Sequence, residues 1–559
     1  MKVLLVYPYF LTERGKDYDV RPLPIGLHYI GAYLIEAGHE VEILNLHGLG
    51  GNLDELRSIF EEREFDCLGV SLFNGNRFGA LDCAKIAKEI NPNTKVIFGG
   101  VGATFLWDFF LRHFDFVDFI VRGEGEETFK ELLEAVEKGG DPESFLRIKG
   151  LALRDIKGRP VKTQERPFIK DLDALPDPSK YFKFQHVISS RGCPWNCTFC
   201  GSPRFWKRRV RFHSPKYFVD QLERLNKKGV NFFYVSDDTF TLNKDRVIDI
   251  CQEIVKRRLN ISWYAISRVN CVDEDIVYWM KRAGCIQISY GVESGSKAIR
   301  DFFNKQISDD DIKKAFHITR RFGILPRAYF IYGAPGDGKK SIQESIDLIR
   351  DIKPLSMVSY ILDLYPGTKL YDNFVKKNRV TDDIWLEPIE DIMYFETDPK
   401  MNSDEVLQMG RRLKKAFYSM LPNFIEELEF EEKDELKEHY AAFCARLGFT
   451  FTHGDYAQNE LIPNKERAAE MLFKKALKWW PNHDAFLGLG MLYQKRREFD
   501  NSIEILRQGL KLYDDSEELN ICLGINLMNL GQFKDAMAIF KRFPSSPRAK
   551  RFYEICASK

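Results

Sequence analysis

Three cysteines fall within a few residues of one another at Cys193, Cys197 and Cys200, in the stretch Arg191-Gly-Cys-Pro-Trp-Asn-Cys-Thr-Phe-Cys-Gly201. Thiolates are soft ligands that suit iron–sulfur clusters and zinc. A metal site closed by cysteine alone takes four of them, and no fourth follows nearby. Three ligands on one short loop leave a corner of the metal centre open, and an open corner is where a small molecule binds. Two other readings exist: a structural zinc loop completed by a distant histidine such as His213, and three unrelated core thiols. The tight spacing weighs against both.

The chain has 559 residues, enough for three or four domains. Hydrophobic residues at 44% and charged residues at 30% are ordinary globular composition, and a net charge of +1 leaves no electrostatic footprint for nucleic acid. The other cysteines (Cys67, Cys83, Cys251, Cys271, Cys285, Cys444, Cys522, Cys556) are scattered singly. An odd total beside a cluster loop points to a reducing cytoplasm rather than a disulfide framework. The opening Met1-Lys-Val-Leu-Leu-Val-Tyr-Pro is too short an apolar run for a signal peptide. No run reaches the ~18 apolar residues of a membrane span.

Residues 1–150 alternate short apolar runs with amphipathic ones. Strands are expected at 3–6, 41–44, 67–71, 96–98 and 119–121, with a loop carrying Pro22 and Pro24 after the first. Helices are expected over 25–37, 53–62, 78–90 and 128–137. The alternation predicts an α/β domain with a doubly wound parallel sheet. Such sheets bind ligands at the carboxyl ends of their strands. Ser71, Gly99, Gly100, Gly102 and Gly123 fall at those ends, where glycine lets backbone approach a large planar or phosphate-bearing ligand. Tight turns alone would also explain them.

Residues 151–186 read as a linker: a small hairpin around Gly158-Arg-Pro160, then a proline-stiffened connector. From 187 to about 385 the strand–helix alternation resumes. Six units, with strands at 187–190, 232–235, 261–265, 286–289, 327–331 and 358–361, predict a (β/α)6 partial TIM barrel. Reactive groups in barrels sit at strand carboxyl ends, and each of these strands ends in polar or glycine-rich residues. Asp237 and Asp238 are acceptors for an ammonium group or a polar substrate. Arg268 can hold a carboxylate in bidentate fashion. Glu293 and Ser294 can hydrogen-bond the hydroxyls of a ligand, and Gly333 and Gly336 allow backbone to lie along a flat one.

Residues 386–455 read as a helical connector. In 456–559, Leu489-Gly490, Tyr493, Phe499, Ile503 and Leu506 recur as Leu523-Gly524, Leu527, Phe533, Met537 and Phe540, at an offset of 34. That is the tetratricopeptide period, and it predicts a small all-α solenoid that grips a peptide or subunit, or caps the enzyme.

The cysteine loop resembles that of the radical S-adenosylmethionine (SAM) superfamily. The segments Asp238-Thr-Phe, Gly291-Val-Glu-Ser-Gly-Ser296, Gly333-Ala-Pro-Gly336 and Tyr365-Pro-Gly-Thr368 resemble its cobalamin-type subgroup. The run Pro22–Gly26, then Gly38-His-Glu-Val41, Phe98-Gly-Gly100 and Val121-Arg-Gly-Glu-Gly-Glu126 is similar to the cobalamin-binding domain found ahead of such barrels. The resemblance implies that Cys193, Cys197 and Cys200 hold a [4Fe-4S] cluster whose fourth iron chelates SAM, with the barrel residues named above around that cofactor. It implies cobalamin at the ends of the first sheet. The usual D-x-H-x-x-G motif is absent and His28, His39 and His47 lack its context, so cobalamin is expected without a histidine ligand, or the domain keeps the fold alone. The implied activity is reductive cleavage of SAM, with electrons from a flavodoxin or ferredoxin, to functionalise an unactivated carbon, foremost by cobalamin-dependent methyl transfer. A non-methylating cyclase or carbon–carbon-forming enzyme is the alternative, and a repeat-based scaffold the third. The substrate class stays open among small molecules, lipids and tetrapyrroles, with a protein partner for the repeats.

Overall fold

The structure is a computed structural model and describes residues 1–11 and 23–559; Pro22 lies outside them. The first sheet has seven strands: β1 (Lys2–Tyr7), β2 (Glu40–Asn45), β3 (Cys67–Ser71), β4 (Lys95–Gly99), β5 (Phe119–Val121), β6 (Leu151–Arg154) and β7 (Pro160–Lys162), in the order β2-β1-β3-β4-β5-β6-β7. The first five are parallel. The inner strands are largely apolar because helices cover both faces, while the edge strand β2 carries Glu40 and Glu42; in β1, Leu4 and Val6 enter one core, Val3, Leu5 and Tyr7 the other. The hairpin expected in the linker forms, but β6 pairs antiparallel with β5 and extends this sheet. The first unit therefore runs to Lys162, and only the stretch beyond it connects.

The second sheet has six parallel strands: β8 (His186–Val187), then, past a two-stranded ladder of β9 (Ser190–Arg191) and β10 (Arg211–Phe212), β11 (Phe232–Val235), β12 (Ser262–Ser267), β13 (Cys285–Glu293), β14 (Leu325–Tyr332) and β15 (Ser356–Ile361). Their order, β8-β11-β12-β13-β14-β15, follows the chain. This is the singly wound path of an open barrel, as expected. One departure bears on the site. The strand expected through 187–190 breaks after Val187, and Ser190–Arg191 turns away to pair antiparallel with Arg211–Phe212. The Asp237 carboxylate holds the break, accepting from the Ser189 amide and from the Ser189 and Ser190 hydroxyls, each at 2.6 Å. The cysteine loop is thus an excursion closed at its base by a two-residue ladder.

The helices Ser403–Glu426 and Lys437–Thr452 pack onto the barrel and Lys465–Trp479 packs on those two, so the barrel core runs on without a break through Phe473, Ala485, Leu489 and Leu492. A separate core unites Phe486, Leu506, Leu523 and Phe540. Its helices recur: His483 and Glu517 open equivalent helices, as do Phe499 and Phe533, 34 residues apart each time. So does a contact, since a Cβ on Gly490 would strike Leu506 at 2.6 Å and one on Gly524 would strike Phe540 at 2.6 Å.

A candidate active site where two sheets meet

The carboxyl ends of both sheets face one cavity of ≈ 300 Å³. Ser71, Gly99, Gly100 and Gly123 line it from the first sheet; Ser236 and Asp238 line it from the end of β11 in the second, and Ser190, Arg191 and Gly192 from β9 and the base of the cysteine loop. Residues distant in sequence thus share one small space. Gly100 (φ +90°) and Gly123 (φ +78°) sit where side chains are strained. A Cβ on Gly26 or Gly123 would meet nothing within 4 Å, and one on Gly99 only the Val121 carbonyl at 3.8 Å. These glycines form a bare backbone cradle that side chains would fill.

Buried ion pairs join the two units across this cavity. The Arg191 guanidinium donates through Nη1 to Glu124 Oε1 and through Nη2 to Glu126 Oε1, both at 2.7 Å, and stacks on Tyr29 at 5.0 Å. Burial alone would lower the Arg191 pKa, yet the charges of Glu126 and Glu124 outweigh it and the net shift is upward. Arg211 donates to both oxygens of Glu124. Arg77 makes a second clamp, donating to the carbonyls of Trp385 and Glu387.

The three cysteines are free and half-buried, on the loop between β9 and the short helix Ser202–Phe205. They are close enough to perturb one another: burial, then the neighbouring Asp238, Cys197 and Cys193, push the Cys200 thiol up to about 12. A bound metal reverses that preference and takes the thiolate. Among the described residues no three His, Cys, Asp or Glu side chains converge on a single ion. Zinc would draw its sulfurs to ~2.3 Å of one point, whereas a [4Fe-4S] cube takes each sulfur on a different iron. His213 is no fourth ligand. It is buried against Asp173 (3.0 Å) and the Tyr29 hydroxyl (3.1 Å) and stacked on Tyr217. The donor set fits a cluster with one open iron. Arg268 braces the loop, with its guanidinium 4.5 Å from the Trp195 ring and Nη1 3.8 Å from Cys197 Sγ.

The structure separates the other expected residues. Asp238 opens into the cavity, bonded to the Ser202 hydroxyl at 2.7 Å, and enclosure raises its carboxyl above the ordinary range. Asp237 is spent on Ser189 and Ser190. Glu293 (φ +67°) is buried in an ion pair with Lys305 at 2.6 Å. Ser294 accepts from the Ser296 amide, and Gly333 packs toward Val406 and Ile361. Of these, only Asp238 lines the cavity. Sequence reasoning gave no role to Arg191, Glu124, Glu126 or Lys305. It also passed over Cys271, which is near enough to Cys193 to feel its charge and whose place just past β12 is the only signal.

No histidine among the described residues lines the cavity. His28 packs edge-on against Phe182 and tilted over Phe184, while His47 packs on Tyr7 and Phe10. The glycine cradle suits a broad planar cofactor, and a corrin there would take no histidine from these residues.

Comparison with known proteins agrees with this geometry. The Radical SAM superfamily matches residues 187–349 and the B12 binding domain matches residues 18–133. An uncharacterized methyltransferase of Pyrococcus horikoshii is 32% identical over 438 residues, covering 75% of this chain and 92% of that protein. The anaerobic magnesium-protoporphyrin IX monomethyl ester cyclase of Rubrivivax gelatinosus is 28% identical over 399 residues, 68% of this chain and 71% of that one. The radical SAM methyltransferase TsrM of Kitasatospora setae, solved with cobalamin and a [4Fe-4S] cluster, shares the fold at TM-score 0.57 and 18% identity, covering 67% of this chain and 75% of its own. The cobalamin-dependent radical enzyme OxsB does so at 0.57 and 17%, over 100% of this chain and 83% of its own. The chain therefore belongs to the radical SAM superfamily, among the enzymes that carry a B12 binding domain ahead of the radical SAM domain.

Proposed function

We propose that this enzyme methylates an unactivated carbon of a small molecule held where the two sheets meet. The cluster and SAM supply a carbon-centred radical and cobalamin supplies the methyl group; the chain contributes placement and exclusion of water. The observation that carries this reading is the one cavity bounded by the carboxyl ends of β3, β4 and β5 (Ser71, Gly99, Gly100 and Gly123) on one side and by the base of the cysteine loop on the other. In this reading Cys193, Cys197 and Cys200 hold the cluster, Arg268 fixes the loop, and Asp238 meets the ammonium or a polar group of the cofactor or substrate. Glu293 acts with Lys305 as a buried pair that shapes the end of β13. Ser71, Gly99, Gly100 and Gly123 carry the corrin.

The test is direct. Protein reconstituted anaerobically with cluster and cobalamin, then given SAM and a low-potential reductant, yields S-adenosylhomocysteine if methyl passes to cobalamin. Deoxyadenosine without S-adenosylhomocysteine would favour the second reading, a non-methylating cyclase, which the likeness to the Rubrivivax cyclase supports. The substrate classes of the relatives, tetrapyrroles among them, are candidates for this chain.

A flavodoxin or ferredoxin suits the reductant's role. The 34-residue recurrence of helices and of the glycine contact supports reading the C-terminal helices as tetratricopeptide-like repeats that grip a protein partner. Eleven free cysteines suit a reducing cytoplasm. Among the described residues no helix is long and apolar enough to cross a membrane.

A further inference from the structure

Beside the reaction cavity lies a second one of ≈ 430 Å³. Gly123 and Phe205 line both, so the two share a wall. Their chemistry is opposite. The first is lined mainly by glycine and aliphatic side chains. The second gathers Arg122, Lys162, Arg166, Arg204, Lys207 and Arg209 around one carboxylate, Glu165.

Three of those cations are neutralised. Arg166 pairs with Glu127 and Glu131, Arg204 with Asp372, and Lys207 with Glu165. Arg122, Lys162 and Arg209 form no ion pair among the described residues. Arg122 is the telling one. Its Nε and Nη1 are buried and have no hydrogen-bond partner among the described residues. Burial lowers its pKa, and Glu165, already held by Lys207, opposes this only in part. Buried guanidinium donors without acceptors are costly, on the order of 1–3 kcal/mol or more for a charged group, and a ligand that accepts from them removes that cost. Trp107 stands between the cations, its ring 5.9 Å from the Arg122 guanidinium and 5.5 Å from Lys162 Nζ. In a chain of net charge +1, this concentration of positive charge is local.

We propose that this second cavity seats the oxyanion group, phosphate or carboxylate, of an amphiphilic substrate, with Arg122 and Lys162 as its principal contacts. The shared wall at Gly123 and Phe205 lets the apolar remainder of the same molecule reach the reaction cavity. The inference rests on the function proposed above and narrows its substrate to anions with an apolar body. Guanidinium gives the two-pronged geometry that oxyanions accept.

The same chemistry has a second source, the phosphate in the nucleotide loop of cobalamin, and the experiment separates the two. The probe is octyl phosphate below its micelle concentration, titrated calorimetrically into the holoenzyme reconstituted with cluster and cobalamin. Octyltrimethylammonium, with the same tail and the opposite charge, is the control. The expected result is saturable 1:1 binding of octyl phosphate, weakened as salt rises, with no binding of the cation. Arg122→Gln and Lys162→Gln should each weaken octyl phosphate binding at least tenfold, while iron and cobalamin contents match the wild type. Arg209→Gln, at an exposed position, replaces a side chain outside the core and should weaken binding severalfold. Equal binding of both amphiphiles, or undiminished binding by the variants, overturns the proposal. Loss of cobalamin from the Arg122 or Lys162 variants also overturns it, assigning the cavity to the cofactor's own phosphate. Failure of the wild type to make S-adenosylhomocysteine would instead strike the methyl-transfer reading and leave octyl phosphate binding intact.

Discussion

Arg191, two residues ahead of the first cluster cysteine, donates at 2.7 Å to Glu126, which opens the helix behind β5 of the other sheet. Both side chains are buried. This pair, with Glu124, fixes how the B12 binding unit sits over the cysteine loop, and so the distance between two cofactors. Removing one partner of a buried pair strands the other's charge, at a cost of about 3–5 kcal/mol. Arg191→Gln and Glu126→Gln should each lower stability in urea by that order. The double variant should lose clearly less than the two single losses added. Simple additivity would mean that the pair does not couple the units.

The bare cradle predicts a cofactor-specific defect. Gly26 has no positive φ and open space around its Cβ direction. Gly26→Leu should therefore leave thermal stability within about 2 °C of wild type but strongly reduce cobalamin retained after reconstitution, read from the corrin absorbance. Full retention would place the corrin elsewhere.

Acid sensitivity follows from His28. Burial among Phe182 and Phe184, with a smaller contribution from His186, lowers its pKa to about 4. The folded form refuses a proton that the unfolded chain accepts near pH 6.5. The stabilising contribution is thus whole above about pH 6.5 and is lost as pH falls toward 4, by about 2 kcal/mol at pH 5. Denaturant unfolding at pH 7.5 and pH 5 should show this loss, and His28→Phe should reduce it. An equal loss in the variant would assign the acid sensitivity to other groups.

Packing, not the repeat pattern, sets where the C-terminus can be cut. The barrel core continues through Leu492, whereas Leu506 and the helices after it belong to a separate cluster. A chain ending at residue 497 should fold and take up cluster and cobalamin. A chain ending at 455 should aggregate, because it exposes the face of the helix Lys437–Thr452 that Phe473 covers. Soluble, loaded protein from the shorter chain would contradict this.

What could be read in the sequence was what is local in it. Ligand spacing on one loop, strand–helix alternation and the 34-residue offset each need only short stretches, and the parallel strands and the helix pairs follow those patterns, apart from the break after Val187. Asp237 and Asp238 show the limit. They are identical and adjacent, but extended backbone sends neighbouring side chains to opposite sides, and only the break after Val187 decides that Asp237 ties strands while Asp238 faces the cavity. Arg191 with Glu126 and Glu293 with Lys305 join distant segments, so no linear pattern pairs them. The hairpin at 151–162 was visible as a hairpin, but its place on the first sheet depends on β5, whose open edge it covers.

The central claim, three sulfurs on one loop gripping a cluster with one iron left open, is tested most directly by electron paramagnetic resonance of the reduced, anaerobically reconstituted protein with and without SAM. The account predicts one [4Fe-4S] signal per chain that changes when SAM is added and is absent from Cys193→Ala, Cys197→Ala and Cys200→Ala, while Cys271→Ala keeps it. A cluster signal indifferent to SAM, or one that survives loss of any of the three cysteines, would contradict it.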